Sequence, residues 1–145
     1  ANHMLFYLKD LKQGLTEITR VLKNNGTFYC TTYSKYHMQE ISELAQNFDS
    51  RISLSDDPLP ERFGLENGKD ILKSYFNYVE LKKYEDYLLI TEAQPLIDYI
   101  LSCHGNQNEY LGNRLKEFKI YIEDLIKESQ GIKITKDSGL FICTK

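Results

Sequence analysis

The sequence predicts an α/β fold, and the evidence for it is concentrated in residues 1–33. Apolar side chains in residues 11–22 recur with the 3.6-residue period of an amphipathic helix. The segment that follows, residues 27–33 (TFYCTTY), is dense in β-branched and aromatic residues and is typical of a strand. Together with a short strand segment at the N-terminus, these elements form a βαβ unit, which predicts a parallel sheet.

The first helix has recognisable ends. Asp10 is placed to cap its N-terminus, and Lys23 brings a cation to its last turn. Gly26 can adopt the left-handed backbone conformation that stops a helix. The apolar face of this helix consists of Leu11, Leu15, Ile18, Val21 and Leu22.

Composition excludes several functional classes. The 145 residues suit a single domain, and a hydrophobic content of 41% is enough for a core. A formal net charge of −3 does not favour a nucleic-acid surface, and no apolar run approaches the length of a membrane span. Three widely spaced cysteines without a CxxC motif predict buried free thiols and a cytoplasmic location.

The chain after residue 33 continues the α/β pattern. Residues 38–48 carry apolar side chains on one helical face, which predicts a second helix. Residues 49–61 are polar and contain prolines, and we predict a loop or mobile lid over residues 49–68. Residues 79–84 predict a strand, and residues 87–90, after a polar break at Glu85-Asp86, predict either its continuation or a short second strand.

The C-terminal third is predicted to be helical until its last strand. Thr91-Glu92-Ala93-Gln94 has the form of a capping box, and a long helix is predicted over about residues 108–129. A final strand at residues 139–145 is predicted to pair with residues 131–135 through a turn at residues 136–138.

Two stretches resemble a known family. ANHML at the N-terminus, the short loop to Asp10 and EITRVLKNNGTF are similar to the second half of class I S-adenosylmethionine-dependent methyltransferases of the small-molecule type. In that family a pattern like L-x-E-x-x-R-V-L-K-P-G-G leads into the fifth strand, and this chain has LTEITRVLKNNG, with Asn24-Asn25 in place of Pro-Gly. Asparagine keeps the turn because it tolerates positive φ.

The resemblance implies a partial Rossmann-like fold in which an antiparallel seventh strand inserts between the fifth and sixth strands. It makes residues 1–145 a single domain that is the C-terminal part of a methyltransferase domain, with residues 91–130 as a helical insertion. The glycine-rich cofactor loop of the family has no counterpart here, since the eight glycines are scattered. We therefore expect S-adenosylmethionine to bind in the parent protein, with weak or no binding and no activity for this chain alone.

The resemblance also implies site residues, whereas the sequence identifies no catalytic residue. Methyl transfer depends on alignment and on exclusion of water more than on acid–base help. The residues implied to bind cofactor are Asn2, His3 and Met4. The residues implied to line the substrate pocket are Phe6, Tyr7, Tyr33 and His37. The alternative for His3 and His37 is a surface role in a loop or first helical turn, and no metal motif is present.

The expected partner is a small-molecule methyl acceptor, with no nucleic acid and no membrane. Without a full fourth strand, the fifth strand is expected to present an unpaired edge, which predicts self-association. A different class of function stays open at this point: a non-catalytic α/β interaction or oligomerisation domain.

Overall fold

The computed structural model describes residues 1–55 and 57–145 and has a mixed α/β fold, as the sequence predicts. In the described residues the strands are β1 (Thr27–Tyr33), β2 (Tyr78–Ile90) and β3 (Ile132–Thr144). They form one sheet in the order β1-β3-β2. β1 and β3 are antiparallel, and their register runs from Thr27 opposite Thr144 to Tyr33 opposite Ser138.

β3 also runs antiparallel to β2. A Cβ atom added at Gly131 would lie 2.9 Å from Leu89, whereas one added at Gly139 would lie 3.0 Å from Leu81. The contact on β2 therefore moves towards its N-terminus as β3 proceeds, which is the geometry of an antiparallel pair. The last strand is thus inserted between the two earlier strands, as the family resemblance implies.

Helices fill the remaining described segments. The α-helices are α1 (Leu11–Val21), α2 (Gln39–Phe48), α3 (Leu59–Arg62), α4 (Gly68–Lys73), α5 (Ala93–Ser102), α6 (Gln107–Leu111) and α7 (Leu115–Ser129). Short 3-10 helices cover Leu5–Tyr7 and Gly112–Arg114. The predicted helix at residues 108–129 is wrong in its continuity, because α6 and α7 are separate and the break begins at Gly112, a poor helix former.

The predicted cap of α1 is confirmed, and its stop is corrected. Asp10 Oδ1 accepts a hydrogen bond from the backbone N–H of Gln13 at 2.8 Å. The left-handed residue beyond the helix is Asn25, with φ of 60°, and not Gly26. The N–H of Gly26 instead closes the turn by donating to the carbonyl oxygen of Lys23 at 2.8 Å.

For β2 the structure has the continuous strand that was one of the two alternatives, whereas the turn predicted at residues 136–138 is wrong. β2 continues through Glu85-Asp86, and β3 continues through residues 136–138. Long-range pairing explains this: Lys136 Nζ lies 3.2 Å from Asp86 Oδ2, and Ser138 pairs with Tyr33 of β1. The capping box at Thr91 is also wrong, because α5 begins at Ala93 after Glu92, which makes no side-chain cap.

The chain divides into two compact units, to both of which β2 and β3 contribute residues. Unit 1 contains Ala1–His37, Pro58–Glu85 and Asp137–Lys145. Its core consists of Leu5, Phe6, Leu15, Cys30, Phe63, Leu65, Leu72, Phe76, Val79, Phe141 and Cys143.

Unit 2 contains Met38–Asp57 and Asp86–Lys136. Its core consists of Ile41, Ala45, Ile52, Leu54, Ala93, Leu96, Ile97, Ile100, Leu111, Phe118, Ile122 and Ile134. A single domain at 1–145, a lid at 49–68 and an insertion at 91–130 stay predictions, and Asp56 within the lid segment lies outside the described residues. Among the helices of residues 1–55 and 57–145, none has the length and apolar character needed to cross a membrane.

Candidate functional site

The N-terminal segment lies along the outer edge of β1. The backbone nitrogen of Ala1 donates to the carbonyl oxygen of Tyr29 at 2.8 Å, and the carbonyl oxygen of Ala1 accepts from the N–H of Thr31 at 3.0 Å. Asn2 forms an isolated parallel bridge with Thr31. These contacts amount to one isolated parallel bridge and not to a strand, and β1 pairs antiparallel with β3, so the parallel sheet predicted from the βαβ pattern is wrong for the described residues. The contacts also occupy the edge of β1 between Tyr29 and Thr31, where an unpaired edge was expected.

His3 is held in an unusual backbone conformation beside this bridge. Its φ is 48°, which few residues other than glycine adopt. The N–H of His3 donates to Thr31, 3.2 Å from its carbonyl oxygen and 3.1 Å from its Oγ1. These contacts to β1 fix the backbone and direct the imidazole of His3 onto the ring of Tyr33, with ring centroids 5.8 Å apart.

The four predicted substrate residues meet His3, a predicted cofactor residue, in one aromatic cluster, which we define as His3, Phe6, Tyr7, Tyr33 and His37. The centroid of Tyr33 lies 5.3 Å from that of Phe6 and 5.2 Å from that of His37. Phe6 packs edge to face on Tyr7 at 4.7 Å. Phe6 is buried, whereas the side chain of Tyr7 is exposed. The structure therefore brings together residues from the 3-10 helix, from β1 and from the turn after β1.

The two remaining predicted residues are not part of this cluster. Asn2 is exposed and serves the bridge to β1 through its backbone. Met4 is exposed and precedes the 3-10 helix. Whether Asn2, His3 and Met4 contact a cofactor stays a prediction.

A cavity of about 310 Å³ opens next to His3 in unit 1. Its lining includes His3, Thr31, Lys82, Lys83, Tyr84 and Ser138. Of the residues predicted for the site, His3 lines this cavity. The contributions of β2 and β3 were not predicted, because no local signal in the sequence gives the register between strands that are far apart in the chain.

The imidazole of His37 is fixed by β3. Its Nδ1 accepts a hydrogen bond from the backbone N–H of Asp137 at 3.1 Å, and the backbone N–H of His37 donates to the carbonyl oxygen of Ser34 at 3.2 Å. Since Nδ1 is the acceptor, a neutral ring carries its proton on Nε2. In this tautomer His37 can donate a hydrogen bond through Nε2. Its Nδ1, the nitrogen with the free lone pair, is engaged by the N–H of Asp137 and is not available as a base.

The cysteines do not supply a nucleophile to the site. Cys30 and Cys143 are buried free thiols on neighbouring strands, which confirms the prediction for these two residues. A hydrogen bond with Cys143, together with burial, holds the pKa of Cys30 well above its ordinary value. Cys103 is partly buried, and burial raises its pKa. Groups of three or more metal-ligating side chains are absent from residues 1–55 and 57–145.

Comparison with known proteins gives one relative. The chain is 24% identical over 138 residues to malonyl-[acyl-carrier protein] O-methyltransferase of Chlorobium luteolum. The match covers 93% of this chain and 48% of that protein, so the chain spans about half the length of its relative. No family model matches the sequence. The comparison supports a methyltransferase relationship.

Proposed function

We propose that this chain is the C-terminal part of a class I S-adenosylmethionine-dependent methyltransferase domain whose parent protein methylates a small molecule. The methyl donor would be S-adenosylmethionine, whose sulfonium supplies an activated methyl group. The proposal extends the distant relationship at 24% identity to a specific cofactor and a class of acceptor.

The observation that carries the proposal is the place of β3. The family resemblance predicted an antiparallel last strand between the fifth and sixth strands, and β3 lies antiparallel between β1 and β2. Local propensity does not dictate such an order, because β3 follows both neighbours in the chain. A fold alone does not fix an activity, and the methyltransferase relative is the second support.

In this proposal the N-terminal segment borders the methionine end of the cofactor. Asn2, His3 and Met4 would contact it, and the rigid pairing of Ala1 and His3 with β1 keeps that segment in place. Phe6, Tyr7, Tyr33 and His37 would form the substrate wall. Their task is to orient the acceptor and to exclude water, since transfer from the sulfonium needs a near-attack geometry.

The cavity beside His3 favours an anionic acceptor. Lys82 and Lys83 both line it, and Ser138 adds a hydroxyl group. Ammonium groups bind carboxylates by charge-assisted hydrogen bonds. The relative is named for O-methylation of a malonyl group on acyl-carrier protein. We accordingly propose a small carboxylic acid as the acceptor, methylated on a carboxylate oxygen.

Two experiments test the proposal. Calorimetric titration of residues 1–145 with S-adenosylhomocysteine should show weak or no binding, and tight binding would contradict the assignment of most of the cofactor site to the rest of the parent protein. The parent protein should transfer a labelled methyl group to small carboxylic acids. His3→Ala should lower that transfer, and His104→Ala, at an exposed position outside the cluster, is the matched control. Absence of any transfer across the acid panel would contradict the function.

The second candidate is a non-catalytic α/β interaction or oligomerisation domain. The observation that favours it is the long outer edge of β2, which has no paired strand in the described part of the chain. An assay of methyl transfer by the parent protein distinguishes the two functions, because only the methyltransferase proposal predicts transfer. A cytoplasmic location fits both, because the described cysteines are free thiols.

A further inference from the structure

The outer edge of β2 is the longest unpaired edge of the described sheet. The order β1-β3-β2 gives β2 a strand neighbour on one side, and its 13 residues run without a break. Large side chains along it are exposed: 56% for Tyr78, 63% for Tyr84, 55% for Tyr87 and 56% for Leu89. A long edge with exposed apolar side chains is a site for pairing with another chain.

The charges on β2 have opposite signs on the two sides of its central residue. Lys82 and Lys83 precede Tyr84, and Glu85 and Asp86 follow it. In an antiparallel pair of identical strands centred on Tyr84, Lys83 lies opposite the partner's Glu85. In the same register Lys82 lies opposite the partner's Asp86. Each of these opposite-charge pairs occurs twice because a two-fold interface repeats every contact.

Neighbouring registers lose this complementarity. In a strand, alternate residues direct their backbone N–H and C=O groups towards the same edge. Two identical antiparallel strands that pair through this edge therefore have their two-fold axis at a residue, and the axis can move only by whole residues. Centring the pair on Lys83 places two lysines opposite each other and Glu80 opposite the partner's Asp86. Centring it on Glu85 places two glutamates opposite each other. Like charges directly opposite are destabilising, so the register centred on Tyr84 is selected.

Apolar side chains agree with the same register. Leu81 lies opposite the partner's Tyr87, and Val79 lies opposite the partner's Leu89. The pairs place exposed side chains of the second half of β2 against the partly buried or buried side chains of the first half. Pairing would cover apolar surface that is open in the single chain.

We propose that two copies of this chain associate through β2, edge to edge and antiparallel, around a two-fold axis at Tyr84. The partner strand is a second copy of β2, because the order of charges along β2 is complementary to the same order read in the opposite direction. Pairing with an unrelated strand would not require this self-complementarity. The edge differs from the one expected on β1, which the N-terminal residues occupy between Tyr29 and Thr31. The proposal shares Lys82, Lys83 and Tyr84 with the lining of the cavity beside His3, but it does not require methyl transfer, and its test measures assembly and not activity.

A charge swap tests the interface. Lys82 and Asp86 already have ion pairs within the chain, with Glu80 at 3.9 Å and Lys136 at 3.2 Å, so the swap uses Lys83 and Glu85. Glu85→Lys alone and Lys83→Glu alone each place like charges opposite one another twice. An equimolar mixture of the two variants restores opposite charges at both places. Sedimentation velocity reads the assembly state of each variant and of the mixture.

The expected results differ sharply between the samples. The native chain should be a dimer at tens of micromolar, and each variant should weaken the dimer by about tenfold or more. The mixture should recover the native assembly as a heterodimer. The control variants Glu43→Lys and Lys12→Glu change the same charges at exposed positions on α2 and α1 and should leave the assembly unchanged. A monomeric native chain, or a mixture that stays monomeric, would overturn the proposal.

A cross-link tests the register and keeps the proposal falsifiable if a charge variant fails to fold. In a Cys103→Ser background, Tyr84→Cys places a thiol opposite itself across the axis, within the reach of a disulfide. Mild oxidation should give a covalent dimer of this variant. Tyr87→Cys in the same background lies opposite the partner's Leu81 and should not cross-link. Equal cross-linking of both variants would contradict the register.

Discussion

The backbone N–H of Asp137 donates a hydrogen bond to Nδ1 of His37 across 3.1 Å. The two residues are 100 positions apart in the chain, so β3 sets the orientation of a side chain that follows β1. The same imidazole lies 5.2 Å from the ring of Tyr33. The bond therefore joins the sheet to the aromatic cluster.

His37→Ala should lower the free energy of unfolding by about 1 kcal/mol, because the Asp137 N–H loses its acceptor. His104→Ala, which changes an exposed histidine, should lower it by less than about 0.5 kcal/mol. Urea denaturation measures both. Nitrogen-15 NMR at neutral pH should also show the proton of neutral His37 on Nε2, and a proton on Nδ1 would contradict the hydrogen bond.

Asp49 gives the protein a pH-dependent contribution to stability. Its carboxylate is 8% exposed and accepts hydrogen bonds from Arg51 at 2.6 Å and Arg114 at 2.9 Å. The hydrogen bond from the Arg51 side chain, supported by that from Arg114, holds the pKa of Asp49 well below its ordinary value. A depressed pKa means that the contribution is complete above the unfolded pKa of about 3.9 and is lost as the pH falls through the folded value.

Asp49→Asn should accordingly lower the melting temperature at pH 7 by a few degrees, because two guanidinium groups lose a charged acceptor. The difference from the native chain should narrow as the pH falls below about 4. Calorimetric melting between pH 2.5 and pH 7 measures the change. Asp124→Asn, at an exposed position on α7, is the control. A difference that stays constant over this pH range would contradict the assignment.

Asp10 stabilises the first helix through its side chain. Asp10→Ala removes the acceptor for the Gln13 N–H and should lower the free energy of unfolding by about 1 kcal/mol. Asp10→Ser should retain most of that stability, because serine is also a good capping residue. Chemical denaturation of the three proteins measures the series, and an equal loss for both variants would show that the cap is not the cause.

Gly105 lies against the backbone of another loop. A Cβ atom added there would be 1.9 Å from the carbonyl oxygen of Ser53, and backbone atoms cannot move aside cheaply. Gly105→Ala should therefore destabilise the protein by about 2–4 kcal/mol. Gly112 has no atom within 4 Å of such a Cβ, so Gly112→Ala should be neutral or stabilising by up to about 1 kcal/mol. Thermal unfolding of both variants measures the contrast, and similar losses would contradict the steric cause.

Local signals in the sequence predicted the elements around residues 10–33. The cap at Asp10 and the apolar spacing of α1 act within a few residues, and the structure retains the cap. Of the predicted apolar face, Leu15 is buried, and Leu11, Ile18 and Leu22 pack against the core, whereas Val21 is 66% exposed. The turn predicted at residues 136–138 was wrong, and the continuity of β2 through Glu85-Asp86 was left open, for the opposite reason. There the ladder between distant strands and the Lys136–Asp86 ion pair override the local preference for a turn.

The residues of the candidate site were likewise predicted in part. The family resemblance indicated His3, Tyr33 and His37, and the structure brings their rings together. It did not indicate Lys82 or Ser138, which line the cavity beside His3. Their approach depends on the register of β2 and β3, which no short stretch of sequence encodes.

The central position of β3 has a consequence for the order of folding during synthesis. β3 is made after β1 and β2, yet in the described residues these two strands have no ladder with each other and meet only through β3. The sheet therefore depends on contacts of long sequence separation, which are slow to form. Until β3 leaves the ribosome, β1 and β2 both expose strand edges, so the growing chain is most vulnerable to wrong pairing just before its sheet can close.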